Sequence, residues 1–174
     1  MNNRRRGRRA RAGLTMIEVV LSFIVVSLML LAALEVVAAS RKTIAIAERR
    51  ATARFLADEL LTVVFSKPYA DPNETPVFGL DASESLATKI SFDDVDDFNG
   101  WNEAPPLTAT EKKMTDYAGW SREVTVEWVL ASAPTTVQAS ETNAKRITVI
   151  AKYQGMEYGR AVAVRTNAPT PKAP

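Results

Sequence analysis

From Leu14 to Leu34 the chain runs for 21 residues with Glu18 as its only charge, and the apolar character persists to Ala39. At 1.5 Å per helical residue, 21 residues reach roughly 31 Å, about the thickness of a bilayer core. A run of this length must cross a membrane or be buried along its whole length, so it constrains the fold before any other feature does. Six arginines (Arg4, Arg5, Arg6, Arg8, Arg9 and Arg11) precede it, with no acid among the first twelve residues. Positive charge on the amino side predicts that this end stays in the cytoplasm and the carboxyl-terminal part is exported.

The arginines also explain the composition. The chain of 174 residues carries 22 basic and 20 acidic side chains. Without the six leader arginines the balance is 16 to 20, a net of −4, so the basic character belongs to the leader. A basic tip of this kind suits nucleic acid, but here it leads directly into a membrane segment. The chain has no cysteine and no histidine. That removes disulfides, thiol chemistry, the Ser-His-Asp and Cys-His nucleophile arrangements and the commonest transition-metal ligand, and the chain reads as a non-enzyme.

Glu18 is the informative residue. A carboxylate within an apolar span costs on the order of 2.5–3.5 kcal/mol on insertion scales, and such residues usually have a function. A positive partner at the same depth makes sense of that cost. Cleavage between Gly13 and Leu14 would create one, the new α-amine of Leu14, about one helical turn from Glu18 in the same chain. Between staggered neighbouring helices in an apolar filament core, one chain's amine could meet another's Glu18.

Arg11-Ala12-Gly13 followed by Leu14-Thr15-Met16-Ile17-Glu18-Val19 resembles the class III signal of type IV prepilins and type II secretion pseudopilins. The resemblance covers about the first quarter of the chain. Leu14 stands where phenylalanine is commonest in that family, and Met16 replaces a leucine. The resemblance implies cleavage after Gly13 by a prepilin peptidase, methylation of the new amino terminus at Leu14, and Glu18 as the assembly carboxylate. It further implies a single-pass inner-membrane protein with a cytoplasmic amino terminus and a periplasmic head, later incorporated into a pilus or pseudopilus. The implied partners are other major and minor pilins, a platform protein and a cytoplasmic assembly ATPase. Two other readings compete. Val37-Ala38-Ala39 before Ser40 is similar to a signal peptidase site, but the apolar run is too long for an ordinary signal peptide. An uncleaved single-pass anchor carrying an envelope binding module is the other.

No Gly or Pro occurs between Leu14 and Lys67. Ala45, Phe55, Leu56, Leu60, Val63 and Val64 fall mostly on one stripe at helical spacing, which predicts an amphipathic continuation ended by Pro68. Residues 68–107 are rich in Pro and Gly and predict loops. Ser121 to Leu130 alternates, with Val124, Val126, Trp128 and Leu130 on one face. A polar turn is expected around Ala133 to Asn143. Lys145 to Tyr153 and Glu157 to Arg165 complete three consecutive antiparallel strands around a tight turn at Gln154-Gly155. The expected fold is therefore α+β, a long amino-terminal α-helix packed on a small antiparallel β-sheet head. The organisation is a basic leader over 1–13, a transmembrane and assembly helix over 14–39, its amphipathic continuation over 40–67, a globular head over 68–166 and a disordered tail over 167–174.

One other cluster bears on chemistry, Ser91 to Trp101 with Asp93, Asp94, Asp96, Asp97 and Asn99. Four carboxylates in five residues suit a hard cation such as calcium, the one cofactor the sequence raises. The EF-hand register fails, because Val95 and Pro106 occupy ligand positions. The same run also reads as an exposed loop whose Asp and Asn side chains bond their own backbone, with Phe92, Phe98 and Trp101 in the core. Asp-Asp-Val-Asp-Asp-Phe-Asn-Gly resembles a run in minor pilins of the MSHA and PilV type. Together with the missing cysteines, it points to a minor subunit rather than a filament's bulk protein.

Overall fold

An unbroken stretch of good helix formers without Gly or Pro builds the longest element. In the computed structural model, which describes residues 15–71, 77–81 and 84–167, helix α1 runs over Met16–Phe65. It stops where expected: Ser66 and Lys67 still donate to Thr62 and Val64 carbonyls at 3.1 Å, and Pro68 has no N–H to offer. The leader, Gly13, Leu14 and residues 168–174 of the expected tail lie outside the described residues.

Two compact units divide the chain, Met1–Ala45 and Ile46–Pro174. In the first, every described residue from Thr15 to Ala45 is exposed. In the second, α1 packs on a five-stranded antiparallel sheet built from β1 (Asn102–Glu103), β2 (Trp120–Leu130), β3 (Ala133–Val137), β4 (Ala144–Tyr153) and β5 (Met156–Thr166). The strand order is β1-β2-β4-β5, and β3 pairs with β2 as well.

The expected α+β architecture is present, with local differences. The buried stripe of α1 is Ala53, Leu56, Ala57, Leu60 and Val64, at spacings of three and four, whereas Ala45 and Phe55 face solvent. Phe55 instead stacks beside Tyr117 at 6.2 Å. The alternation of β2 holds through Val124 and Val126 and then slips. Trp128 is half-buried, Val129 is buried and Leu130 is exposed, and the register against β3 shifts between Val129 and Leu130. The shift arises where β3, which lies inside the expected polar turn, joins the end of β2. The turn between β4 and β5 has positive φ at Gln154 (49°) and Gly155 (80°), the backbone that a two-residue hairpin requires.

The core closes from both sides. Leu56, Leu60 and Val64 of α1 meet Val124, Val126, Ile147 and Val149 of the sheet, and Phe92, Val95, Phe98 and Trp101 fill from the loop before β1. Phe92 sits edge-on to Phe98 and Trp101 at 4.8 and 5.4 Å. The three aromatic residues expected in the core are there.

Candidate functional site

The apolar part of α1 and Glu18, the single charge from Met16 to Leu34, form the first feature. An 18-residue window of α1 has a mean hydropathy of 2.7, and none of it is buried among the described residues. Ile17, Phe23 and Met29 are all about two-thirds exposed, at 69, 70 and 67 %. Such a surface is large and contiguous, the kind that lipid or protein covers. The helix is long and apolar enough to span a bilayer.

Glu18 sits in its first turn. The Glu18 N–H donates to the Thr15 carbonyl at 3.0 Å, and the Thr15 N–H donates back to Glu18 Oε2 at 3.4 Å. Thr-x-x-Glu at a helix start is the capping-box spacing, in which the acid satisfies an orphan N–H. That signal is legible in the sequence beside the charge argument. It gives Glu18 a local partner and places its negative charge at the positive end of the helix dipole.

The acidic loop is the second feature, and it is more buried than its composition suggests. Asp94, Asp96 and Asp97 are 3, 1 and 4 % exposed. Each is spent on the fold. Asp94 Oδ1 accepts from the Asp96 and Asp97 N–H groups at 2.7 and 3.3 Å. Asp97 Oδ2 accepts from the Asp93 and Asp94 N–H groups at 2.9 and 2.8 Å. Asp96 pairs with Lys145 and accepts from the Gly79 N–H at 3.1 Å. Asn99 Oδ1 accepts from the Val126 N–H at 3.0 Å. The self-bonding turn is present, but the exposed loop is not. Three buried aspartates are tolerable because backbone donors and one ammonium compensate them.

The five sequence candidates do not converge on one point. Among the described residues, Asp93 and Asp97 place a carboxylate oxygen within 4.8 Å of one from Glu84, a residue outside the sequence pattern. Glu84 Oε1 is buried without a hydrogen-bond partner. Burial pushes the Glu84 carboxyl up to about 7, and burial together with Asp96 and Asp97 pushes Asp94 up to about 8. Burial raises Asp93 as well. Glu84 and Asp94 therefore hold protons near neutral pH.

No family model, curated protein or solved structure matches the chain.

A third cluster carries no sequence signature. Arg122 of β2 is fully buried and donates to Glu103 Oε1 at 2.5 Å and to the Leu56 carbonyl of α1 at 3.0 Å, while also pairing with Glu59. Lys89 Nζ lies 3.0 Å from Glu103 Oε2, and the Trp101 indole N–H reaches the same oxygen at 3.3 Å. Helix, sheet and loop are thus joined through one guanidinium. Alternation places Arg122 on the inner face with Trp120 and Val124, and this was the one available hint.

Proposed function

We propose that the chain is a minor pilin or pseudopilin, a non-enzymatic subunit that a prepilin peptidase processes and that a type IV pilus or type II secretion filament, or its tip, incorporates. One observation carries the reading. The uncovered apolar helix has a single charge over its first nineteen residues, Met16 to Leu34, and that charge is Glu18, four residues beyond Leu14 and the Gly13 junction. In this reading the peptidase removes Met1 to Gly13, Leu14 becomes the methylated amino terminus, and the protein rests in the inner membrane with its head outside the cytoplasm. Other pilins then cover the apolar face, drawn in through the platform protein and the assembly ATPase. Burying that face against like helices removes it from lipid by close packing, and Glu18 sets register by meeting a neighbour's amine.

The mass of the mature chain tests this. A start at methylated Leu14 supports the reading, and an intact Met1 in cells with an active prepilin peptidase would overturn it.

The second reading is an uncleaved single-pass anchor that displays the head as an envelope binding module. The Thr15–Glu18 hydrogen bond favours it, because a capping carboxylate needs no second chain. The same spectrum separates the two.

A further inference from the structure

The charges just beyond the apolar run are distributed unevenly. Residues 41–54 hold Arg41, Lys42, Arg49, Arg50 and Arg54 against one acid, Glu48. From Phe55 onward there are 11 basic and 17 acidic residues, a net of −6. Two of the five cations have partners within the chain, and Arg50 is exposed without an ion-pair partner among the described residues. Arg49 stacks over Tyr153 at 4.8 Å and donates to the Tyr158 hydroxyl at 3.0 Å. Arg54 lies 3.6 Å from Asp58. Arg41 and Lys42 are exposed and have no ion-pair partner among the described residues. Adjacent on the helix, they point to sides about 100° apart, so a partner lying along one face of α1 meets only one of them. A planar layer around the helix meets both.

We infer that Arg41 and Lys42 dock on anionic phospholipid headgroups at the side of the membrane where the head lies. This rests on the membrane placement of α1 in the reading above. Arg41 is seven residues beyond Leu34, or roughly 10 Å of helix. Headgroups extend about 5–8 Å beyond the hydrocarbon core, and surface potential reaches about 8 Å further at physiological salt. Both side chains are long enough to lie back along the helix toward that layer. Arg50, nine residues further on, lies beyond its reach. Withdrawal of the subunit from the membrane must break these contacts.

The test uses the full chain in bilayers of phosphatidylcholine with phosphatidylglycerol and measures its association with spin-labelled forms of each lipid. We expect a several-fold preference for the phosphatidylglycerol label, reduced by added salt. The six leader arginines contribute to it, so variants isolate the pair. Arg41→Gln/Lys42→Gln should lower the preference by about twofold or more, leaving the part the leader contributes, and Arg50→Gln should leave it intact. Equal preference in wild type and the double variant overturns the inference. So does a double variant that alters self-association and not lipid preference, since the pair would then hold a neighbour's acidic head. Failure of the chain to enter bilayers at all would overturn the membrane reading as well, and it is distinguished because every variant fails alike.

Discussion

Gly159 of β5 lies against Ala53 of α1 so closely that a Cβ built on the glycine would stand 3.1 Å from the Ala53 methyl and 3.3 Å from the Arg54 backbone nitrogen. The neighbours are backbone and a methyl on a helix, and neither can rotate away. Gly159→Ala is therefore expected to destabilise the head by about 1–3 kcal/mol, the usual cost of overpacking. Urea unfolding of the full chain in detergent measures it. Ala53→Gly should cost less in the Gly159→Ala background than in the wild type, and equal costs in both would show that the contact is not the cause.

Arg122 tests the buried ionic cluster. Arg122→Met leaves Glu103 with Lys89 and the Trp101 indole, frees the Leu56 carbonyl and removes the Glu59 pairing. Breaking a buried charge network by removing one member costs about 3–5 kcal/mol. Arg122→Lys is expected to recover little, because one ammonium cannot reproduce the guanidinium's divergent donors. Glu59→Gln should cost far less, since that side chain is 30 % exposed. A small effect of Arg122→Met on the unfolding midpoint would mean the network is replaceable.

The carboxyl groups of the acidic loop set a pH dependence. Glu84 and Asp94 are raised in the folded protein, to about 7 and about 8, so between their ordinary values and these the native state holds protons that the unfolded chain has lost. Stability then falls as pH rises. Asp96, Asp97 and Lys145 are the charged groups facing Asp94, and the two acids prevail because burial acts in the same direction. Glu141, held down by the Tyr69 hydroxyl and the Asn143 N–H despite its burial, works oppositely and costs stability only as pH drops through the low carboxylate range. The melting temperature is thus expected to decline from about pH 5 to pH 8.5. Asp94→Asn keeps an acceptor for the Asp96 and Asp97 N–H groups and removes the charge, so it should flatten that decline; an unchanged slope would sink the assignment.

Much of this architecture was legible, and the omissions have physical causes. The helix was readable because the chain has no breaker before Pro68. The three long strands were readable because alternation and the Gln154-Gly155 turn are local signals. The two short strands were not. Asn102–Glu103 and Ala133–Val137 are strands only because β2 offers them partners. Burial of the acidic loop was hidden for a similar reason: its compensating cation, Lys145, is 49 residues from Asp96. Glu84 joins the carboxyl cluster from a loop with no pattern of its own. The Arg122 network depends on four segments meeting, which no window of sequence contains.

Glu18 caps the helix, and a single substitution can separate that role from the assembly role proposed for it. As a cap it needs only an acceptor for the Thr15 N–H; as an assembly group it needs a negative charge. Glu18→Gln supplies the acceptor and lacks the charge, whereas Glu18→Ala lacks both. Losing a cap costs a helix about 0.5–2 kcal/mol, too little to prevent insertion of a span with mean hydropathy 2.7. Both variants should therefore reach the membrane in wild-type amounts, as read by fractionation. If the charge sets register, Glu18→Gln and Glu18→Ala should be equally poor in filament incorporation, at least tenfold below wild type in sheared filament fractions. If capping is the whole of its role, Glu18→Gln should incorporate like wild type and Glu18→Ala only slightly less. Wild-type incorporation of the glutamine variant would leave Glu18 as a helix cap and remove the main support for a filament subunit.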